Sequence, residues 1–135
     1  MEQLAWSYTH SFSGIQADLC YPLEPYLDSQ QLWRLPVAEL VTALLADWRA
    51  GKPVSLLAVK FHHTLAELSA RLLKILATQT GVEQLVLTGG VFQNRLLAEL
   101  MIQRLIELDL KPWLSEAIPA NDGGIALGQA VIAGR

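Results

Sequence analysis

The chain is poor in the residues that would give it an easy reading. It has one cysteine, Cys20. That excludes an internal disulfide and any cysteine-rich zinc site, and it makes a reducing cytosol the simplest setting. Only 17% of residues are charged and the net charge is −3, with no cluster of lysines and arginines. Binding of nucleic acid through a basic face is therefore not expected. No run reaches the roughly 18 apolar residues of a membrane span, and no basic stretch followed by an apolar one marks a secretion signal. There is no His-Glu-x-x-His or His-x-x-x-His spacing, so the chain cannot build a multi-histidine metal site unaided.

What remains is 135 residues that are 52% hydrophobic, enough for a packed domain or part of one. The opening Met-Glu-Gln-Leu-Ala-Trp reads like the middle of a domain, as if the chain belonged to a longer protein. Residues 1–34 predict short strands at Trp6–His10, Leu19–Leu23 and Gln31–Leu35, broken at Ser13-Gly14, Pro22, Pro25 and Asp28-Ser29. Cys20, in the run Ala17 to Tyr21, is expected to be a buried structural thiol. From residue 36 to 134 helices and strands alternate. Pro36 opens a helix with Val37, Leu40, Val41, Leu44, Leu45 and Trp48 on its core stripe, and Gly51 stops it. Pro53 opens the next, with a stripe of Leu57, Phe61, Leu65, Leu68, Leu72 and Leu76 and a stop at Gly81. An apolar strand then runs into Gly89-Gly90. A third helix follows from about Val91 to Leu108, a strand at about Lys111–Leu114, and a last helix from about Gly123 to Ala133. The order predicts an α/β fold: a mixed sheet with an N-terminal meander, covered by helices, its later strands parallel.

Chemistry concentrates in three places. At Thr88-Gly89-Gly90 the missing side chains let backbone lie against a flat or anionic group. Asn94, near the end of the first helical turn beyond them, could offer its amide to a ribose hydroxyl or phosphate. At Asn121-Asp122-Gly123-Gly124 a helix begins with two glycines, each about 1 kcal/mol worse than alanine, which suggests close backbone approach. Asn121 or Asp122 would cap that helix, and Asp122 is also a carboxylate suited to an oxygen-preferring metal. In His62-His63 the rings point 100° apart. His63 falls on the polar side with Lys60, Glu67, Arg71 and Lys74 and is expected in solvent, paired with Glu67. His62 sits at the border of the buried stripe, within reach of a cleft.

Taken together, Thr-Gly-Gly-Val-Phe-Gln-Asn-Arg-Leu-Leu at 88–97, Pro-Ala-Asn-Asp-Gly-Gly-Ile-Ala-Leu-Gly-Gln-Ala at 119–130 and Val-Lys-Phe-His-His-Thr-Leu-Ala at 59–66 resemble the C-terminal end of the HypF family over roughly residues 20–135. These are carbamoyltransferases that mature nickel–iron hydrogenases. The resemblance implies the second lobe of an actin/sugar-kinase-type (ribonuclease H-like) domain, spanning residues 1–135. There a carbamoyl-adenylate, made from ATP and carbamoyl phosphate, would be held between two lobes. The carbamoyl group would pass to the C-terminal cysteine of HypE, on the way to the cyanide ligands of the hydrogenase iron. Thr88, Gly89, Gly90, Asn94 and Gly123 would contact the adenylate, and His62 matches a motif position with a catalytic role. Asp122 would complete a divalent metal site (zinc, iron or magnesium) whose histidines lie in the other lobe. The first lobe and the zinc fingers have no counterpart here, so this piece is expected to fold but not to turn over, and its bare cleft face to favour self-association. The related tRNA threonylcarbamoyladenosine transferases, a sugar-kinase lobe, or a non-enzymatic interaction module are the alternatives.

Overall fold

The computed structural model describes residues 19–114 and 123–134. Two short strands, β1 (Tyr26–Leu27) and β2 (Trp33–Arg34), pair antiparallel. The joint between them is an aspartate turn. The Asp28 carboxylate accepts from the N–H groups of Gln30 (2.8 Å) and Leu32 (2.9 Å), and Gln31 takes a left-handed φ of 61°. The break expected at Asp28-Ser29 is thus a hairpin turn. The strand expected at Leu19–Leu23 is not one: Cys20 sits in a bend, and Tyr21 reaches its neighbour through its N–H, which donates to the Thr64 hydroxyl at 2.9 Å. The strand expected at Trp6–His10 lies outside the described residues.

Helix α1 (Val37–Arg49) starts after Pro36, and helix α2 (Val54–Thr80) starts after Pro53. Pro36 and Pro53 stand at the cap positions, one residue earlier than the sequence places them. Gly81, at φ 74°, ends α2 in the left-handed cap that only glycine adopts cheaply. Then come β3 (Gln84–Leu87), a 3-10 turn (Gly90–Gln93), α3 (Arg95–Glu107), β4 (Lys111–Leu114) and α4 (Gly123–Ala133). β3 and β4 are parallel with α3 as the crossover, in the register Gln84 to Lys111 through Leu87 to Leu114. The alternation expected for the second half is therefore present. No helix among the described residues is long and apolar enough to cross a membrane.

The core lies where α2 and α3 press on one face of β3 and β4. Ala66, Ala70 and Ala77 of α2 meet Leu87, Leu97, Met101, Leu105 and Leu110. This corrects the expected stripe on α2 in part. Leu57 and Leu68 of that stripe are buried, at 6% and 1% exposure, but the face turned to α3 is the neighbouring row of Ala58, His62, Ala66, Ala70 and Ala77. Leu65, Leu72 and Leu76 are only half-buried. Small side chains let the α2 and α3 backbones approach, so α3 settles on the alanines. The stripe on α1 is corrected too. Only Leu40 is buried, whereas Val37, Val41, Leu45 and Trp48 are exposed, Trp48 by 59%.

α1 is tied to α2 through Asp47. Its carboxylate receives Lys52 Nζ at 2.8 Å, Lys60 Nζ at 2.9 Å and the Tyr21 hydroxyl at 2.8 Å, and Lys60 also lies over the Tyr21 ring, 3.9 Å from its centre. The Lys52 ammonium, then the Lys60 and Tyr21 donors, hold the Asp47 carboxyl well below the carboxylate range, while burial and Asp47 push the Tyr21 phenol up. A carboxyl depressed in the folded state contributes stability that is present above its unfolded value and lost as pH falls below it. Asp47→Asn should therefore destabilise by about 1–2 kcal/mol at pH 7. In urea titrations the gap between the two proteins should shrink as pH drops below the ordinary carboxyl value of 3.8. A gap that stays constant down to pH 2.5 would show that the charge on Asp47 contributes nothing.

Candidate functional site

The diglycine stands at the C-terminal end of β3, where parallel sheets place their ligands. Leu87 at the strand end is buried, and Thr88 beyond it is exposed. Gly89 then turns the chain with φ 103° and ψ 157°, a conformation closed to side-chain-bearing residues. Its glycine is explained by the backbone alone. Gly90 is not. It has no positive φ, and a Cβ built on it would meet nothing within 4 Å. Neither the local conformation nor the packing of the described residues asks for glycine there.

The helix expected from Val91 begins later. Residues 90–93 form a 3-10 turn, with the Phe92 N–H donating to Gly89 O (3.1 Å) and the Asn94 N–H to Val91 O (3.1 Å). Asn94 is then the N-cap of α3 rather than part of its first turn. Its Oδ1 accepts from the Leu97 N–H at 2.9 Å, the usual task of asparagine there. This occupies the amide oxygen that the sequence offers to a ligand, and it separates the start of α3 from the diglycine by a full turn.

His62 comes up from α2 beneath this cap. It is 2% exposed, its Nδ1 lies 2.7 Å from Ala58 O, and its Nε2 lies 2.8 Å from Asn94 Nδ2. Both ring nitrogens are thus engaged. The Phe61 ring stands edge-on to it at 5.4 Å. The structure therefore brings together five of the sequence candidates: Thr88, Gly89, Gly90 and Asn94 on one connection, and His62 below. Gly123 opens α4, and Asp122 lies outside the described residues. Beside the turn is a cleft of about 440 Å³ with an apolar lining that includes Leu65, Leu72, Val86, Thr88, Val91 and Phe92. From α2, Leu65, Leu72 and Leu73 face this cleft.

His63 is corrected. It is 9% exposed, not in solvent, and burial first, then Arg104 and His62, push its pKa down. Glu67, its expected partner, is taken by Arg71 (2.7 Å) and Arg104 (3.1 Å). Cys20 is half-buried, its thiol pushed up chiefly by burial and next by Glu67, as befits an unreactive cysteine. Among the described residues no three of His, Cys, Asp and Glu converge on a position that could hold a metal. The bond from His62 to Asn94, across 32 residues, has no linear signature, and sequence reasoning missed it.

Known proteins share this arrangement of elements. The family described as "Carbamoyltransferase, Kae1-like Domain, second subdomain" (HypF_C_2) matches residues 2–129. The carbamoyltransferase HypF2 of Cupriavidus necator is 35% identical over 99 residues, which cover 73% of this chain and 12% of that protein. The carbamoyltransferase HypF of Synechocystis is 34% identical over 95 residues, 64% of this chain and again 12% of the relative. A full-length HypF solved in a phosphate- and nucleotide-bound form superposes on 88% of this chain with a TM-score of 0.77 and 30% identity. HypF of T. kodakarensis superposes on 98% with a TM-score of 0.69 and 26% identity. The chain spans only 16% of either solved structure.

Proposed function

Because the chain belongs to the HypF carbamoyltransferase family, as the second subdomain of its Kae1-like domain, we propose that it carries one wall of a nucleotide site whose other wall lies elsewhere in a longer protein. Gly90 carries the proposal: it is a glycine for which neither its backbone conformation nor packing among the described residues has a use, and close approach of a ligand to the backbone supplies one. The ligand is the adenylate part of ATP or carbamoyl-adenylate. The cleft beside Thr88, with Val91 and Phe92 on its wall, offers apolar surface for a flat base. That a full-length relative was solved with phosphate and nucleotide bound supports the class of ligand.

The reaction proposed for the whole protein is carbamoyl transfer to the C-terminal cysteine thiolate of HypE. Sulfur attacks the carbamoyl carbon, the bond from that carbon to the phosphate oxygen breaks, and AMP leaves with the electron pair. The partner supplies the nucleophile, so this lobe needs none. Its residues bind and orient the nucleotide, which raises the rate by holding the leaving group in place. Gly123, at the start of α4, is the proposed second backbone contact. The proposal gives Asp122 one ligand place on a divalent metal shared with the other lobe. The described residues do not themselves build a metal site, and no step is routed through one. The exposed apolar residues of α1 and α4, among them Trp48, Ile125 and Ile132, are consistent with a lobe meant to be covered by the rest of a longer protein, and in its absence they favour self-association.

The test is calorimetric titration with AMP and ATP of this chain and of a full-length relative. Gly90→Val should lower affinity by about tenfold or more, because a branched side chain stands where the ligand meets backbone. It should shift stability by less than about 1 kcal/mol, since a Cβ there meets nothing within 4 Å. Undiminished nucleotide affinity in both settings would remove the site from residues 88–94.

A further inference from the structure

The hydrogen bonds around Asn94 form a closed chain with one solution. The Leu97 N–H can only donate, so the atom of Asn94 facing it at 2.9 Å is the amide oxygen. The amide nitrogen then faces His62 Nε2 at 2.8 Å, and it too can only donate. Nε2 must therefore be bare, and the ring proton sits on Nδ1. At the other side of the ring, Ala58 O at 2.7 Å can only accept, which asks for the same proton on Nδ1. Two requirements from opposite ends of the network agree, so neither can the amide flip nor the imidazole change tautomer without setting donor against donor or acceptor against acceptor around a ring that is 2% exposed.

We propose that His62 is a positioning residue: a neutral Nδ1–H imidazole that fixes the Asn94 amide, and through it the turn bearing Gly89 and Gly90. Burial keeps His62 from substrate, so it acts through Asn94. One hydrogen of Asn94 Nδ2 goes to His62, and the other has no acceptor among the described residues. Asn94 therefore meets a ligand as a donor. The atom it reads is an acceptor, such as a ribose or phosphate oxygen. This last step rests on the nucleotide reading above, whereas the orientation of the pair does not.

The test joins two readouts on the 135-residue chain labelled with 15N in histidine. The wild-type His62 ring should show a protonated Nδ1 and a bare Nε2. Asn94→Asp keeps a good cap, since aspartate and asparagine serve alike there. It also turns an oxygen toward Nε2, so the ring should take up a second proton. A wild-type ring protonated at Nε2, or an unchanged ring in Asn94→Asp, overturns the proposal. In the second readout His62→Leu should quicken hydrogen exchange at the Leu97 amide and weaken AMP binding by about tenfold. His62→Gln, which carries an acceptor for Asn94 and a donor for Ala58 O, should restore both to within about threefold. A folded His62→Leu with wild-type exchange at Leu97 also overturns it. If neither the wild-type chain nor a full-length relative binds AMP while the ring spectra are as expected, the nucleotide reading fails and the positioning stands.

Discussion

Leu105→Ala is expected to destabilise the chain by about 2–5 kcal/mol, a large share of the roughly 5–15 kcal/mol that holds a domain of this size together. Leu105 is 0% exposed and lies where α3 meets the alanine row of α2, with Ala70, Met101 and Leu110 in the same cluster. Truncation removes three carbon atoms from a place whose walls are two helices and a strand end. Those elements cannot close in on the gap without moving the α2–α3 seam, so both the transfer and the cavity contributions are lost. Ile106, one residue along and 59% exposed, is the internal control, and Ile106→Ala should cost less than about 0.5 kcal/mol. Urea denaturation of the two variants decides the matter. Equal losses would mean that α3 packs by a different face.

The second large effect is of opposite steric sign. Ala70→Leu puts three extra carbons at a site that is 0% exposed, between α2 and α3. The backbones approach there because the side chain is small, so the substitution must force the helices apart or drive neighbours off their rotamers. A cost of about 1–3 kcal/mol follows. Leu72→Ala, on the half-buried cleft side, removes the same three carbons but leaves no enclosed void, and should cost less than Leu105→Ala. If Leu72 lay in the core and Ala70 at the surface, the order would invert: Ala70→Leu would be nearly neutral and Leu72→Ala severe. Thermal midpoints of the two variants, measured side by side, separate these outcomes.

Much of the local structure was legible along the chain, for identifiable reasons. Proline cannot sit inside a helix, and a left-handed residue is cheapest as glycine. Pro36, Pro53, Gly51 and Gly81 thus mark the ends of α1 and α2 to within one residue. Likewise β4 and α4 fall where apolar runs and the Gly123 boundary put them, and the diglycine stands at the end of a strand. The family, too, was legible, because its motifs are contiguous strings.

The misses share a cause. Periodicity says that a helix has a face, but it cannot say what that face meets. On α2 the expected row keeps Leu57 and Leu68 in the interior, but close approach of α3 is made by the alanines beside it, and Leu65, Leu72 and Leu76 are left half-buried. On α1 the apolar row is real, but among the described residues only Leu40 of it is buried. His63 read as solvated from its charged neighbours on the helix. It is buried because burial depends on what packs over a residue, not on what precedes it in the chain.

By itself, then, the sequence determined where elements begin and end, which connection could lie against a ligand, and which family the strings resemble. Those properties depend on backbone sterics and on neighbours a few residues away. Only the tertiary structure decided that the α2 alanines pack against α3 and that the His62 ring meets the Asn94 amide. Each of these depends on two segments distant along the chain, 32 residues apart for His62 and Asn94, meeting at hydrogen-bond or van der Waals distance, a condition set by helix packing and written at neither position alone.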